Sequence, residues 1–338
     1  MNILAYFCAV FKDVIYGLSV FFTGGLTEST DVMDVLALRF LLSFTIFFLL
    51  KCFRVIKVNI HVGDLFRKGG RRAPMVSLIL TAFFEPVLYM FFETMGIANS
   101  SNVMTAVVLS LLPIASCIVE TAILKETTTV LQKLLLGVGI VGVVYIAVMS
   151  SLKTSASAEN NDSILGVVCL FLAVLSGALY LVFSRKSTRS FSSIEITYMY
   201  SALGALAFNA INVVRHLVNG DILHYFDPFF SLENIIGFIF LGIISSIVAT
   251  GMNTFALSRM QASTLSAFAG LSTVVTILVG VIFNAESLYY YHYIGLSLIF
   301  TRMVGVSSIA IMKDKKKRLA VAQLDTVENL AYEKTEQR

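Results

Sequence analysis

Residues 72–126 read RAPMVSLILTAFFEPVLYMFFETMGIANSSNVMTAVVLSLLPIASCIVETAILKE. Two apolar runs, each long enough to cross a bilayer, flank a short polar link at Asn99 to Asn102. The stretch therefore reads as a membrane hairpin. Within it stand Glu85, Glu93 and Glu120. A charged side chain near the bilayer midplane costs roughly 2.5–3.5 kcal/mol or more, so such residues normally face a protein interior or a watery path.

The rest of the chain has the same character. Of its 338 residues, 57% are hydrophobic and 14% charged, against about 25% charged in a soluble globule. That balance predicts an integral membrane protein in contact with the lipid bilayer. The N-terminal MNILAYFCAVFKDVIYGLSVFF lacks a basic leader and a small-residue cleavage site, so it reads as a retained helix. Cys8, Cys52, Cys117 and Cys169 form no CxxC or Cys/His cluster. No cofactor or metal is expected. The net charge of +4 is no nucleic-acid signal, because the basic residues sit where membrane topology places them.

Apolar runs of about 20 residues mark spanning helices. Ten are expected, at 3–24, 32–52, 73–96, 102–124, 132–150, 163–184, 194–215, 235–258, 261–283 and 290–312. With the N-terminus inside, the inner loops and the tail hold 20 of the 25 Lys and Arg residues, and the outer loops hold only Lys153 and Arg215. Cytoplasmic loops accumulate positive charge, so both termini are expected in the cytoplasm. The tail 313–338 is a basic cluster followed by a polar segment.

The two halves repeat. A shift of 160 positions sets Gly17 on Gly177, Val119 on Val279 and Glu126 on Glu286 without gaps. Five helices is an odd number, so the second unit would enter the membrane from the opposite side. This is the inverted repeat typical of secondary transporters, with the site near the midplane between the halves. The units are expected at 1–152 and 153–312.

Gly137, Gly139 and Gly142 spell GxGxxG, the pattern of a dinucleotide-binding turn. That turn needs a preceding strand in a soluble βαβ unit. Here the glycines lie inside a spanning run, where they permit close helix packing. Tyr289, Tyr290, Tyr291 and Tyr293 read as an interfacial aromatic belt.

The intramembrane charges carry the functional signal. Glu85 precedes Pro86, which removes a backbone donor and predicts a kink with exposed polar backbone beside a carboxylate. Tyr89 and Phe92 follow on the same face. Glu85 is either a ligand contact or half of a packing ion pair. Lys12 and Asp13 are adjacent, so they point about 100° apart and need not pair. Glu93 and Glu120 read as helix-end residues that snorkel to the interface. At the shifted positions Ser245 and Asn253 replace Glu85 and Glu93, which predicts a cavity with one acidic and one neutral polar wall. Asn209, Asn212, Asn253 and Thr254 are its expected uncharged groups.

Two five-helix units of this kind resemble the EamA-type branch of the drug/metabolite transporter superfamily. The resemblance rests on ALRFLLSFTIFFLL at 37–50, LSLLPIASCIVETAILKETTTVLQ at 109–132, SGALYLVFSRK at 176–186 and FALSRMQASTLSAFAGLSTVVTILVGVIFNAE at 255–286. It implies a basket of helices one to four and six to nine around a central cavity, with helices five and ten peripheral. It also implies that Glu126 and Glu286 cap the following helices. Arg302 departs from the pattern, and an interhelical pair is expected of it.

The expected function is a secondary transporter in the plasma membrane, exporting a small-molecule substrate such as an amino acid or amphipathic metabolite by alternating access. Its candidate contacts are Asp13, Tyr16, Glu85, Tyr89 and Asn253. A carboxylate in an apolar cavity disfavours its charged form, so Glu85 and Asp13 are also candidates for proton coupling. A membrane scaffold is the alternative from another class, followed by an intramembrane enzyme acting on lipid-linked substrates. His61, His216, His224 and His292 show no catalytic spacing, and nothing in the sequence sets an oligomeric state.

Overall fold

The backbone follows from the apolar runs: in lipid each N–H and C=O must find a partner within the protein, and helices achieve this locally. The computed structural model describes residues 3–60, 72–99, 108–109, 111–125, 129–154, 164–283, 289–309 and 311–313. Among these there are helices and no strands. α1 is Ile3–Ser29 and α2 is Val32–Cys52. α3 runs Arg72–Ala82, then a widened turn Phe83–Leu88, then Tyr89–Ala98. α4 is Leu112–Leu124, α5 Val130–Thr154, α6 Ile164–Ser187 and α7 Ser193–Asn219. α8 joins Leu232–Ile239, a widened stretch Phe240–Ala249 and Thr250–Leu257. α9 is Ala262–Ser266, a tight turn Ala267–Ala269 and Gly270–Phe283, and α10 is Tyr290–Lys313.

Among the described residues, seven helices are long and apolar enough to cross a membrane, and Leu112–Leu124 and Val130–Ile146 are shorter apolar helices. Local chemistry fixes several ends. Asp31 caps α2 by accepting from Met33 N at 2.8 Å. Ser192 and Glu195 form a reciprocal capping box at the start of α7, and Gly220 ends it with a left-handed φ of 76°. Glu126, Glu286 and the tail 314–338 lie outside the described residues, as do the polar link positions 100–102.

The helix break at Pro86 is present. Glu85 leaves the helical region with φ −143° and ψ 125°, so α3 opens around its carboxylate. The peptide bond between Glu85 and Pro86 is cis. The same place in the second half, 160 positions on, falls inside the widened stretch of α8, although no proline stands there. Hydroxyls add a second bond to its carbonyls: Ser246 Oγ donates to Leu241 O at 2.8 Å and Thr250 Oγ1 to Ser245 O at 3.4 Å.

The halves also exchange contacts. A Cβ on Gly17 of α1 would lie 2.7 Å from Ser272 O of α9, and one on Gly177 of α6 would lie 3.1 Å from Leu112 of α4. Positions 17 and 177 differ by 160, as do 112 and 272. Each glycine thus lets one half's first helix approach the other half's fourth.

α5 and α10 pack on each other, and the GxGxxG run does structural work there. A Cβ on Gly142 would sit 2.8 Å from both Gly295 O and Leu298 Cβ, whereas one on Gly137 would meet nothing within 4 Å. Gly142→Ala is therefore expected to destabilise by about 1–3 kcal/mol through overpacking, while Gly137→Ala gains helix propensity of up to roughly 1 kcal/mol. Thermal unfolding of the two purified variants checks this, and equal midpoints would count against the packing role.

Two expectations fail in this region. Arg302 is only 2% exposed, and its side chain fills the space left by Gly139 and Gly270, but its Nε has no hydrogen-bond partner and no interhelical ion pair forms among the described residues. Tyr291 is buried, so only Tyr289, Tyr290 and Tyr293 are placed as a belt. The four cysteines are free thiols.

Candidate functional site

A cavity of about 700 Å³ lies between the halves, within the usual range for small-molecule sites. α1 contributes Lys12, Asp13, Tyr16, Ser19, Thr23 and Thr27. Steps of three and four put these polar residues on one helical face. The cavity reaches the surface at exposed Thr27, beside the turn from α1 to α2. At its other end the lining stops at Leu265, Ser266 and Asn253.

All five candidates, Asp13, Tyr16, Glu85, Tyr89 and Asn253, line this one cavity. Their geometry departs from the sequence reading in one respect. Lys12 and Asp13 do pair, Nζ to Oδ1 at 2.6 Å, because both are buried and neither has water to solvate it. Asp13 Oδ2 is left buried without a hydrogen-bond partner. Lys12 Nζ also stands 5.4 Å from the centre of the Tyr16 ring, and Tyr16 Oη lies 3.4 Å from Thr250 Oγ1. Asn253 Nδ2 donates to Tyr180 Oη at 3.0 Å.

The acidic wall is α3. Glu85 sits at the opened turn and, among the described residues, has no hydrogen bond or ion pair. Tyr89 Oη donates to Glu93 Oε1 at 2.7 Å, so Glu93 faces the cavity rather than the interface. The opposite wall is α2 and α8. Arg39 Nε donates to Ser246 Oγ at 2.8 Å and Nη2 to Ser245 Oγ at 3.1 Å, pinning a guanidinium at the cavity edge. The chamber thus carries three carboxylates and two bases: Glu85 and Glu93 on α3, Arg39 on α2, and the Lys12–Asp13 pair on α1, with tyrosines among them.

Several expected contacts lie elsewhere. Phe92 and Thr254 do not line the cavity. Asn209 donates to Ala37 O at 3.0 Å and to Ala205 O at 2.7 Å, and Asn212 donates to Asp34 Oδ1 at 2.8 Å. Glu120 does not snorkel: it is fully buried and accepts from Ala262 N at 2.7 Å and Ser263 N at 3.1 Å. Arg215 lies in α7, not in a loop, and joins Asp31 and Asp34. His216 bridges Asp34 at 2.8 Å and Asp221 at 2.9 Å, so this cluster ties α2 to α7 near the cavity mouth. At Asp31 partial burial pushes the carboxyl up, but the Arg215 guanidinium and the Met33 N–H outweigh it and hold the group below its usual range. This tie therefore weakens only as pH falls into the acid range.

Comparison with known proteins fits the paired architecture. Residues 3–148 and 164–308 each match the EamA-like transporter family. The chain belongs to the EamA-like transporter family. It is 31% identical over 313 residues to YcxC of Bacillus subtilis (strain 168), named an uncharacterized transporter, covering 93% of this chain and 95% of that protein. A crystal structure sharing 14% identity matches with a TM-score of 0.68 over 90% of this chain and 98% of the other, which supports the fold alone. The molecule is a multi-pass membrane transporter of the drug/metabolite transporter superfamily, and its family points to transport rather than catalysis.

Within this EamA-like fold, sequence reasoning left Lys12 and Arg39 unassigned and sent Glu93 to the interface. The α1 stripe carried a usable signal: polar residues at 12, 13, 16, 19, 23 and 27 interrupt an apolar helix at helical period.

Proposed function

We propose that this chain is a secondary transporter that exports small polar or amphipathic metabolites, amino acids among them, across the plasma membrane by alternating access. Its ten spans form two inverted five-helix repeats, 1–152 and 153–312, with both termini and the tail 313–338 in the cytoplasm. The observation that carries the reading is a cavity built by both halves and reaching the surface at one end. With the N-terminus inside, Thr27 lies at the outer face, so the cavity opens outward.

Substrate meets Asp13, Tyr16, Glu85, Tyr89 and Asn253, with Lys12, Arg39 and Glu93 completing the charged lining. A chamber with carboxylates on α3 and a guanidinium on α2 suits a small molecule with separated charges, an ammonium group toward α3 and an acidic group toward Arg39. Glu85 carries the coupled proton. The purified protein in liposomes, given a labelled amino-acid and amine panel with and without a pH gradient, is expected to move at least one compound saturably. No flux across the panel from folded protein would sink the transport reading, and lipid turnover instead would favour the enzyme.

A further inference from the structure

A second recess, about 470 Å³, lies between the halves away from the cavity. Leu4 and Cys8 of α1, Phe47 and Leu50 of α2, and Gly251 and Phe255 of α8 form much of its wall. It is almost wholly apolar, and Leu4, Ile194 and Val248 on its margin are exposed, so it opens sideways to the bilayer. Apolar contact alone selects little here, because lipid tails are as apolar as the wall. Any preference must come from the polar rim.

That rim is basic. The Arg259 guanidinium lies 5.4 Å from the centre of the Phe255 ring, itself part of the wall. Lys51 Nζ lies 5.0 Å from the Tyr198 ring, which packs 6.2 Å from Phe47 of the wall. Arg54 follows at the end of α2, exposed and with a left-handed φ of 58°, a position that normally takes glycine. Its turn is closed by Arg54 N to Lys51 O at 3.0 Å and Val55 N to Leu50 O at 2.9 Å, and this turn brings Ile56 into the groove wall. The acid on this rim, Glu195, is already engaged: Oε1 accepts from Asn59 N and Oε2 from Ser192.

We propose that this groove holds an acyl chain of an anionic phospholipid whose headgroup meets Arg259, Lys51 and Arg54. Each such cation raises the affinity for anionic lipid by roughly five-fold. Because its walls come from both halves, the bound lipid bridges them at the end away from the cavity mouth.

The chain has no tryptophan, which makes a single introduced tryptophan an unambiguous reporter. The full chain carrying Val248→Trp is reconstituted in vesicles of phosphatidylcholine and phosphatidylglycerol, with one or the other lipid brominated in its acyl chains. Brominated phosphatidylglycerol is expected to quench with a relative binding constant at least about five-fold above that of phosphatidylcholine. Ile194→Trp, on the facing wall, should give the same preference, and Leu206→Trp, exposed on α7 outside the groove, should give none. Arg259→Gln should lower the preference about five-fold. Gly251→Leu should abolish it by filling the groove, since a Cβ there meets nothing closer than Thr197 Oγ1 at 3.9 Å. Equal quenching by both lipids at Val248 and Ile194, an equal preference at Leu206, or a preference untouched by Arg259→Gln and Gly251→Leu would each overturn the proposal.

Discussion

Glu85→Gln is expected to leave a folded protein whose flux no longer responds to a pH gradient and whose substrate affinity has dropped about 10- to 100-fold. The fold should survive because, among the described residues, the Glu85 carboxylate makes no hydrogen bond or ion pair that the amide would lose. This sets it apart from Asp13, held by Lys12, and from Glu93, held by Tyr89. A carboxylate in this chamber without a protein partner has two available partners, a proton and a cationic group of the substrate. A charge-assisted contact contributes roughly 1.5–3 kcal/mol, and each 1.4 kcal/mol is about tenfold in affinity, which sets the expected range. Proton uptake is lost outright, because glutamine is neutral at every pH. Liposome flux measured with and without an imposed gradient reads both effects together with the thermal midpoint as a folding control. If both the flux and its gradient dependence matched the parent, Glu85 would have to be dropped from the mechanism.

The membrane class, the positions of the seven long apolar helices and the break at Pro86 are legible because each follows from local chemistry: long apolar runs, and a proline without an N–H. The matching widened turn in α8 is not legible, since no proline marks Phe240–Ala249. There the Ser246 and Thr250 hydroxyls bond carbonyls five residues back, and Arg39 reaches Ser245 and Ser246 from α2. The five named candidates all line one cavity, each legible as a polar side chain inside an apolar run. Long-range polar partners stay hidden. Asn212 looks like a free cavity amide in sequence, yet it binds Asp34, 178 residues away, and Asn209 binds the α2 backbone. Glu93 and Tyr89 were legible as neighbours one turn apart, but only the packing of α3 shows that both turn inward.

Glu120→Ala is expected to destabilise the protein by about 3–6 kcal/mol, the largest stability loss at any single position discussed. Glu120 is fully buried on α4, and its two oxygens accept from the backbone N–H groups of Ala262 and Ser263 at the start of α9. Gln261, the residue placed to cap that helix, makes no side-chain cap bond. A carboxylate 142 residues earlier in the chain supplies the cap instead. Alanine would leave two buried donors without acceptors, and a hydrogen bond to a charged group contributes roughly 1.5–3 kcal/mol. The loss should also reach the cavity. Ser266, one turn on, lies 2.9 Å from Ser116 Oγ and forms part of the cavity floor. Loosening the start of α9 therefore weakens the seal between cavity and closed end, so liposomes carrying the variant should leak substrate without a gradient. Glu120→Gln should fall between parent and alanine, since its amide oxygen can accept one N–H while its NH₂ group opposes the other. A thermal midpoint for Glu120→Ala within a degree of the parent would show that the cap is dispensable and that the inner end is held by other contacts, such as Arg185 Nη1 donating to Leu257 O.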